Sequence, residues 1–224
     1  MSGKEKKAVV LLSGGIDSAV CAALAREQGY ALNALTVDYG QKNRFEIQAA
    51  GEIARLLGAG HLVINTALDS IKGSALTDPE IDIPRGESED IPVTYVPARN
   101  LILLSLGVSW AEVLGAEAVF IGAAVRDYSG YPDCREEFLK SFEKTVSLGT
   151  REETRISVEA PLLNMDKAEI VREGMRLGVD ISLTSSCYNP SDKGTPCGEC
   201  SSCIQREKGI RGAGGMPEED KDER

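Results

Sequence analysis

The sequence predicts an α/β protein built on a parallel, doubly wound sheet. Apolar runs that fit buried strands alternate along the chain with segments whose apolar residues recur at helical spacing. The first strand candidate is a continuous apolar run, which is typical of a strand that is buried on both faces of a parallel sheet. Such alternation gives a Rossmann-like sheet, in which ligands bind at the carboxyl ends of the strands. Functional residues are therefore expected where the strands end.

The loop after the first strand combines the features of a phosphate site. The apolar run of residues 6–12 breaks into Ser13-Gly14-Gly15-Ile16-Asp17-Ser18, and an alanine-rich helix over 18–28 follows. Glycine lacks a Cβ, so backbone N–H groups can approach phosphate oxygens there, and the helix dipole favours their negative charge. The hydroxyls of Ser13 and Ser18 add donors, and Asp17 can cap the helix or approach a metal ion.

This loop is not a Walker A motif, because no Gly-Lys-Ser/Thr follows the glycines. It resembles the Ser-Gly-Gly-x-Asp-Ser loop of the ATP pyrophosphatases, which hold the pyrophosphate of ATP while the α-phosphate is attacked. The resemblance implies that Leu12 to Ser18 bind ATP and that Ser13, Asp17 and Ser18 serve catalysis. An ordinary strand–helix turn is the alternative interpretation.

Further strands and helices continue the alternation. Asp38 and Tyr39 end the second predicted strand beside the Ser-Gly-Gly loop, where a bound nucleotide would place its adenosine. His61, the only histidine, begins the third strand, where a structural role is favoured over a catalytic one. The strands are predicted at 31–38, 61–65 and 118–122, and the helices at 45–57, 101–114, 136–148 and from 166 to a stop at Gly178.

Three further segments stand out by composition. The proline-rich segment 66–97 is expected to form a partly ordered covering loop. Lys167 lies in the first turn of a helix that opens with a capping-box pattern. A cation at this end opposes the helix dipole, so Lys167 is a functional candidate. The alternative is an exposed surface residue without a role. Residues 126–135 carry two acids, two arginines and two tyrosines, which suit a flat polar heterocycle, although a Gly-Pro turn is the alternative.

Four cysteines near the end of the chain have the spacing of a metal site. Cys187 is followed by Cys197, Cys200 and Cys203, the last three separated by two-residue gaps. This spacing favours a structural tetrahedral zinc site, with an iron–sulfur cluster as the competing interpretation. Cys134 falls in the heterocycle segment and is the one cysteine with a candidate direct role.

Composition restricts the class of protein. The chain has 224 residues and a net charge of −10, from 25 basic and 35 acidic side chains, which argues against a large nucleic-acid footprint. We see no signal peptide and no apolar run of membrane length, so a cytoplasmic protein is expected. The predicted organisation is a nucleotide-binding domain over 1–180, a zinc-binding segment over 181–210 and a disordered tail over 211–224.

Taken together, these motifs resemble the 7-cyano-7-deazaguanine synthases of the queuosine pathway, of the adenine nucleotide alpha hydrolase-like fold. The resemblance rests on the phosphate loop, Asp38-Tyr39-Gly40-Gln41, Val96-Pro97-Ala98-Arg99-Asn100, the segment from Asp127 to Arg135 and the four cysteines. It implies a ligase that uses ATP, magnesium and ammonia to convert 7-carboxy-7-deazaguanine to the nitrile through an adenylated carboxylate. It also implies a structural zinc and a homodimer. The implied substrate contacts are Arg99, Asn100, Asp127, Tyr131, Asp133, Arg135 and Lys167.

A few positions depart from that pattern, among them Ile16, which stands where a polar residue is often found. Lys42-Asn43 stands where Arg-His is expected, so no catalytic role is assigned to residue 43, and Ala98 stands where glycine is usual. Two other functions compete: a tRNA-thiolating adenylase, which would need a persulfide cysteine and a basic face, and a zinc-stabilised nucleotide-binding regulator without catalysis.

Overall fold

A computed structural model describes residues 5–86, 91–124 and 131–214. Five strands form one sheet in the order β3-β2-β1-β4-β5, and all neighbouring pairs are parallel, which confirms the predicted α/β fold. The strand order reverses between β1 and β4, so the switch point lies at the carboxyl end of β1. The strands are β1 (Lys7–Leu11), β2 (Ala31–Asp38), β3 (Gly60–Asn65), β4 (Ala118–Phe120) and β5 (Ser157–Glu159).

Helices cover both faces of the sheet. On one face, Ala8 and Val10 of β1 pack with α1, α2 and α5, whereas Val9 and Leu11 pack on the other face with α3 and α4. Both faces of β1 are therefore buried, which is why its sequence is a continuous apolar run. The helices are α1 (Ile16–Glu27), α2 (Phe45–Leu57), α3 (Arg99–Leu114), α4 (Glu136–Gly149), α5 (Lys167–Arg176) and α6 (Ser201–Gly212).

Local signals set several of the helix ends. Gly58 and Gly115 adopt the left-handed conformation directly after α2 and α3, as the sequence predicts. The predicted capping box opens α5: the carboxylate of Asp166 accepts the Glu169 N–H at 2.8 Å, and the carboxylate of Glu169 accepts the Asp166 N–H at 2.8 Å.

The proline-rich segment is anchored in the fold. Residues 74–78 within it are buried, and the backbone carbonyl of Leu76 accepts the Lys42 N–H at 2.9 Å. The Ala75 N–H donates to the Val93 carbonyl at 2.9 Å, so two distant parts of the segment are hydrogen-bonded to each other. Residues 87–90 lie outside the described residues.

Two elements were not predicted from the sequence. These are β5 and α6, the second of which begins directly after Cys200 and runs into the tail expected from residue 211. Residues 215–224 of that tail lie outside the described part of the chain. Among the described residues, no helix has the length and apolar character needed to cross a membrane.

Candidate active site

The phosphate loop is built tightly against the start of α2. Gly14 has a φ of +91°, and a Cβ at this position would lie 2.1 Å from the backbone oxygen of Glu46. No residue with a side chain fits there, since both the dihedral angle and the available space require glycine. The loop therefore passes between β1 and α2 with its backbone held close to the carboxyl end of the sheet.

The two loop serines are hydrogen-bonded to each other. The Ser18 hydroxyl donates to the Gly15 carbonyl at 3.0 Å and accepts the backbone N–H of Ser13 at 3.1 Å. The two hydroxyl oxygens are 3.0 Å apart, so the Ser13 hydroxyl donates to Ser18 and accepts the Gly15 N–H at 3.3 Å. Ser18 is buried, whereas Ser13 is exposed. Ser18 thus maintains the loop, and the exposed Ser13 hydroxyl could turn its proton from Ser18 to a bound ligand.

Asp17 and Lys167 form an ion pair across the mouth of this loop. The Lys167 ammonium lies 2.8 Å from each carboxylate oxygen of Asp17, and only 7% of Lys167 is exposed. Lys167 is therefore not an exposed surface residue of α5. The pair brings a cation to the helix end where phosphate is expected.

The residues that end β2 have charged partners of their own. One carboxylate oxygen of Asp38 accepts the Arg44 guanidinium at 2.6 Å and the other accepts the Gly40 N–H at 3.2 Å. The hydroxyl of Tyr39 accepts a guanidinium N–H of Arg99 at 3.3 Å, and burial raises the pKa of Tyr39 to about 12. Tyr39 is therefore a neutral phenol at physiological pH.

A cavity of about 240 Å³ opens at these strand ends. Its wall is formed by the phosphate loop, by the end of β2, by the first turn of α3 and by parts of the C-terminal segment. The sequence-predicted site residues that line it are Leu12, Ser13, Gly15, Ile16, Asp17, Ser18, Tyr39, Arg99, Asn100, Tyr131 and Lys167.

The predicted site residues Gly14, Asp38, Asp133 and Arg135 do not line this cavity. Asp133 is buried outside the cavity wall, and its carboxylate accepts the backbone N–H of Asn100 at 2.9 Å, so it caps α3. Arg135 is exposed at the start of α4, and Asp38 is turned towards Arg44. Asp127 lies outside the described residues.

The cavity also contains residues that sequence reasoning missed. Gln41 and Glu46 follow β2 on its way into α2, and Ser185, Ser186 and Arg206 come from the C-terminal segment. The rule that ligands bind at strand ends could have indicated Gln41, which lies within three residues of the end of β2. Nothing local indicates the C-terminal residues, since their position depends on how α6 packs.

Asn43 connects the cavity to the cysteines. Its amide donates to the Ser185 hydroxyl at 3.1 Å and to the Cys187 carbonyl at 2.8 Å, and its oxygen accepts the Phe45 N–H at 3.0 Å. The amide therefore links the start of α2 to the C-terminal segment. The histidine that the family resemblance leads one to expect at position 43 is not needed for this structural role.

The four cysteine sulfurs form one cluster. All of them lie within 4.8 Å of one another, with 3.5 Å between Cys187 and Cys197 and 4.0 Å between Cys197 and Cys203. Thiolates that share one tetrahedral zinc ion at about 2.3 Å lie about 3.8 Å apart, so this donor set fits a single ion. Backbone N–H groups of Asn189 and Cys197 donate to the Cys187 sulfur, as expected for a thiolate ligand.

Comparison with known proteins places the chain in a family. The family described as "Queuosine biosynthesis protein QueC" matches residues 7–214. The chain belongs to this family. It is 54% identical over 214 residues to a 7-cyano-7-deazaguanine synthase from Stutzerimonas stutzeri (strain A1501), covering 94% of this chain and 96% of the relative. It is 52% identical over 218 residues to the protein of the same name from Pseudomonas savastanoi pv. phaseolicola, covering 96% and 95%.

Solved structures share the fold at low sequence identity. The NMN synthetase of Francisella tularensis is 20% identical with a TM-score of 0.53, and the match covers 96% of this chain and 80% of that one. A 4-thiouridine synthetase, solved as an RNA complex with bound ATP, is 22% identical with a TM-score of 0.50, covering 93% and 50%. These likenesses show a shared fold.

Proposed function

We propose that this protein is a 7-cyano-7-deazaguanine synthase that acts in queuosine biosynthesis. The observation that carries the proposal is the 54% identity, across 94% of the chain, to a protein of that name. In the proposed reaction, 7-carboxy-7-deazaguanine, ammonia and ATP give the nitrile through an adenylated carboxylate and an amide. A second ATP then activates the amide, and the loss of AMP completes the dehydration to the nitrile.

The phosphate loop suits the first of these steps. A carboxylate is a poor electrophile, and adenylation attaches AMP as a leaving group. Backbone N–H groups at the start of α1, the exposed hydroxyl of Ser13 and the ammonium of Lys167 all face negative charge as it develops on phosphate. The Asp17 carboxylate is a hard oxygen ligand of the kind that Mg²⁺ takes, and magnesium there would offset the charge of the triphosphate.

We place the deazaguanine between Arg99 and Tyr131, which line the cavity together with the phosphate loop. The Arg99 guanidinium can hold the carboxylate, and the Tyr131 ring, which packs 5.6 Å from that of Tyr95, offers an aromatic surface. Asp133 supports this wall indirectly through Asn100. A direct contact from Asp127 remains a prediction.

We further propose that the four cysteines hold a structural zinc ion. A tetrahedral site with four protein ligands leaves no open position for substrate, so zinc would supply stability rather than chemistry. A cytoplasmic location and a homodimer are proposed from the same family resemblance.

The thiolating alternative is disfavoured by the cavity. Cys134 is the cysteine that lines it among the described residues, and its sulfur accepts the Asn100 amide at 3.2 Å. Burial raises the pKa of Cys134 to about 11, so the residue is a thiol at neutral pH. A persulfide-forming nucleophile needs the opposite shift.

The test is to incubate the purified protein with ATP, Mg²⁺, ammonium and 7-carboxy-7-deazaguanine. We expect AMP, pyrophosphate and a product with the mass of the nitrile. Ser13→Ala should reduce pyrophosphate release about 100-fold, because a hydroxyl donor to the phosphate is lost, while the melting temperature stays close to that of the wild type. Ser105→Ala, which removes an exposed hydroxyl on α3, is the matched control. ADP and phosphate as products would contradict the adenylation mechanism.

A further inference from the structure

Glu46 is a carboxylate in the cavity that the mechanism above does not use. It lies in the first turn of α2 and lines the cavity together with Gln41 and Tyr39. One of its carboxylate oxygens accepts the Gln41 side-chain amide at 2.9 Å, and the Gln41 oxygen in turn accepts the Tyr39 N–H at 2.8 Å. Gln41 is thereby fixed by the backbone. Within the described part of the chain, the second oxygen of Glu46 has no hydrogen bond.

The proposed reaction requires a proton acceptor. The nitrogen enters as ammonium, which carries four protons, and it leaves in a nitrile, which carries none. One proton leaves when ammonium becomes ammonia, and a second leaves when ammonia displaces AMP and gives the amide. The third proton leaves when the amide oxygen takes AMP from a second ATP and pyrophosphate is released. The fourth leaves when that AMP departs and the C≡N bond forms.

Other groups in the described cavity wall are poorly suited to the first of these transfers. Asp17 is engaged by the Lys167 ammonium with both oxygens, and the Tyr39 phenol and Cys134 thiol are protonated at neutral pH. His61 does not line the cavity, and its Nε2 lies 2.8 Å from the Thr36 hydroxyl on the neighbouring strand. Arginine and lysine side chains cannot accept a proton while charged.

We propose that Glu46 accepts the proton from ammonium, so that ammonia is formed beside the adenylated carboxylate. The free carboxylate oxygen binds ammonium, takes one proton and becomes a carboxylic acid, and the nitrogen lone pair is released for attack on the acyl carbon. The acid returns its proton to water before the next turnover. This inference rests on the proposed function, since it assigns the base for the ammonia step of that reaction.

The surroundings of Glu46 suit this task. Burial raises its pKa to about 7, while the Arg99 charge and the Gln41 hydrogen bond act in the opposite direction and Asp38 adds to the rise. A base with a pKa near the working pH can both accept and release a proton. The other charged or titratable groups that line the same cavity are Tyr39, Lys42, Tyr131, Cys134, Tyr188, Asp17, Lys167 and Arg206.

The test separates adenylation from ammonia attack in Glu46→Gln. Pyrophosphate release with hydroxylamine, which is neutral at pH 7 and needs no prior deprotonation, should match the wild type. Nitrile formation from ammonium at pH 7 should fall about 100-fold, the lower part of the usual range for a lost general base. This loss should diminish as the pH rises and free ammonia accumulates. In the wild type, nitrile formation per ammonium ion should rise through an ionisation near pH 7 and then level off. In the variant it should instead keep rising in proportion to free ammonia.

Two variants control this experiment. Glu52→Gln removes an exposed carboxylate of the same helix, which pairs with Arg55, and should behave as the wild type. Glu46→Asp keeps an acid and should keep the ionisation. An equal loss of hydroxylamine-dependent and ammonium-dependent turnover in Glu46→Gln would overturn the assignment, as would a Glu46→Asp protein that behaves like Glu46→Gln. A wild-type protein that releases no pyrophosphate with the carboxylate would instead remove the proposed function.

Discussion

Ala98 stores backbone strain at the entrance to α3. Its φ of +54° and ψ of +23° lie in the left-handed region, where a Cβ crowds the following carbonyl at a cost of about 1–2 kcal/mol. The surroundings hold it there, because the Tyr95 hydroxyl accepts the Ala98 N–H at 3.0 Å and Asp133 holds the next turn through Asn100. Glycine, which the family resemblance leads one to expect at this position, adopts this conformation without strain.

Ala98→Gly is therefore expected to stabilise the protein. Relief of the strain exceeds the extra unfolded-state entropy of glycine, which leaves a gain of about 0.5–1 kcal/mol in the free energy of unfolding. Urea denaturation measures this change. Ala49→Gly, in the interior of α2, should instead destabilise by about 1 kcal/mol. A loss of stability in both variants would show that Ala98 is not strained.

At this scale, the sequence predicts those residues whose chemistry is local. The phosphate loop and the four cysteines are recognisable because each is defined by the spacing of a few neighbouring residues. The Asp17–Lys167 pair is not, since its members are 150 positions apart and meet only when α5 packs beside α1. Asp133 illustrates the same point: its segment predicts a contact with a ligand, whereas its carboxylate accepts the backbone N–H of Asn100 at the start of α3.

Among the elements, α6 shows why a real helix can be missed. Its sequence has little apolar periodicity, and it contains Gly209 and Gly212, which are poor helix formers. Packing explains both glycines. A Cβ on Gly209 would lie 2.3 Å from Cγ of Lys167, and one on Gly212 would lie 2.8 Å from Cβ of Ala168. The residues that argue against a helix are those that allow it to lie against α5.

Gly209→Ala tests this contact. Lys167 cannot easily move, because its ammonium is held by Asp17 and its backbone oxygen would lie 3.1 Å from the new methyl group. We expect a loss of about 1–3 kcal/mol in unfolding free energy, as for overpacking elsewhere, together with reduced pyrophosphate release as Lys167 shifts. Gly149→Ala is the matched control, since a Cβ there meets no atom within 4 Å. Full stability and activity in Gly209→Ala would show that α6 is free to adjust.

Over the whole molecule, the cysteine cluster joins parts of the chain that are distant in sequence. The Cys187 carbonyl holds Asn43 at the start of α2, and the Ser185 N–H donates to the Gly14 carbonyl of the phosphate loop at 2.9 Å. On the other side of the cluster, the backbone of Cys200 forms β-bridges with Arg85 and Gly86 of the proline-rich segment. The segment predicted to begin at residue 181 thus forms part of the cavity wall. Loss of the metal should disturb the cavity as well as the C-terminal segment.

The last prediction concerns Cys200→Ser. The loop between Cys187 and Cys197 is polar and mostly exposed, so the proposed zinc ion would supply the stabilisation that apolar burial does not. We expect the variant to lose one zinc per chain, measured by elemental analysis, and to melt at a lower temperature. Limited proteolysis should cut near residues 85–86, because their backbone bridges to Cys200 are disturbed. Activity should fall further than the folded fraction, since Asn43 and Ser185 also lose their support.

Cys134→Ser provides the control, because it removes a cavity thiol that lies outside the cluster. It should keep its zinc and its resistance to proteolysis near residues 85–86. A Cys200→Ser protein without metal that remains folded and protected there would contradict the structural role. Visible absorption and acid-labile sulfide in the wild type would identify an iron–sulfur cluster instead, although four thiolates on separate irons would have to lie farther apart than these sulfurs do.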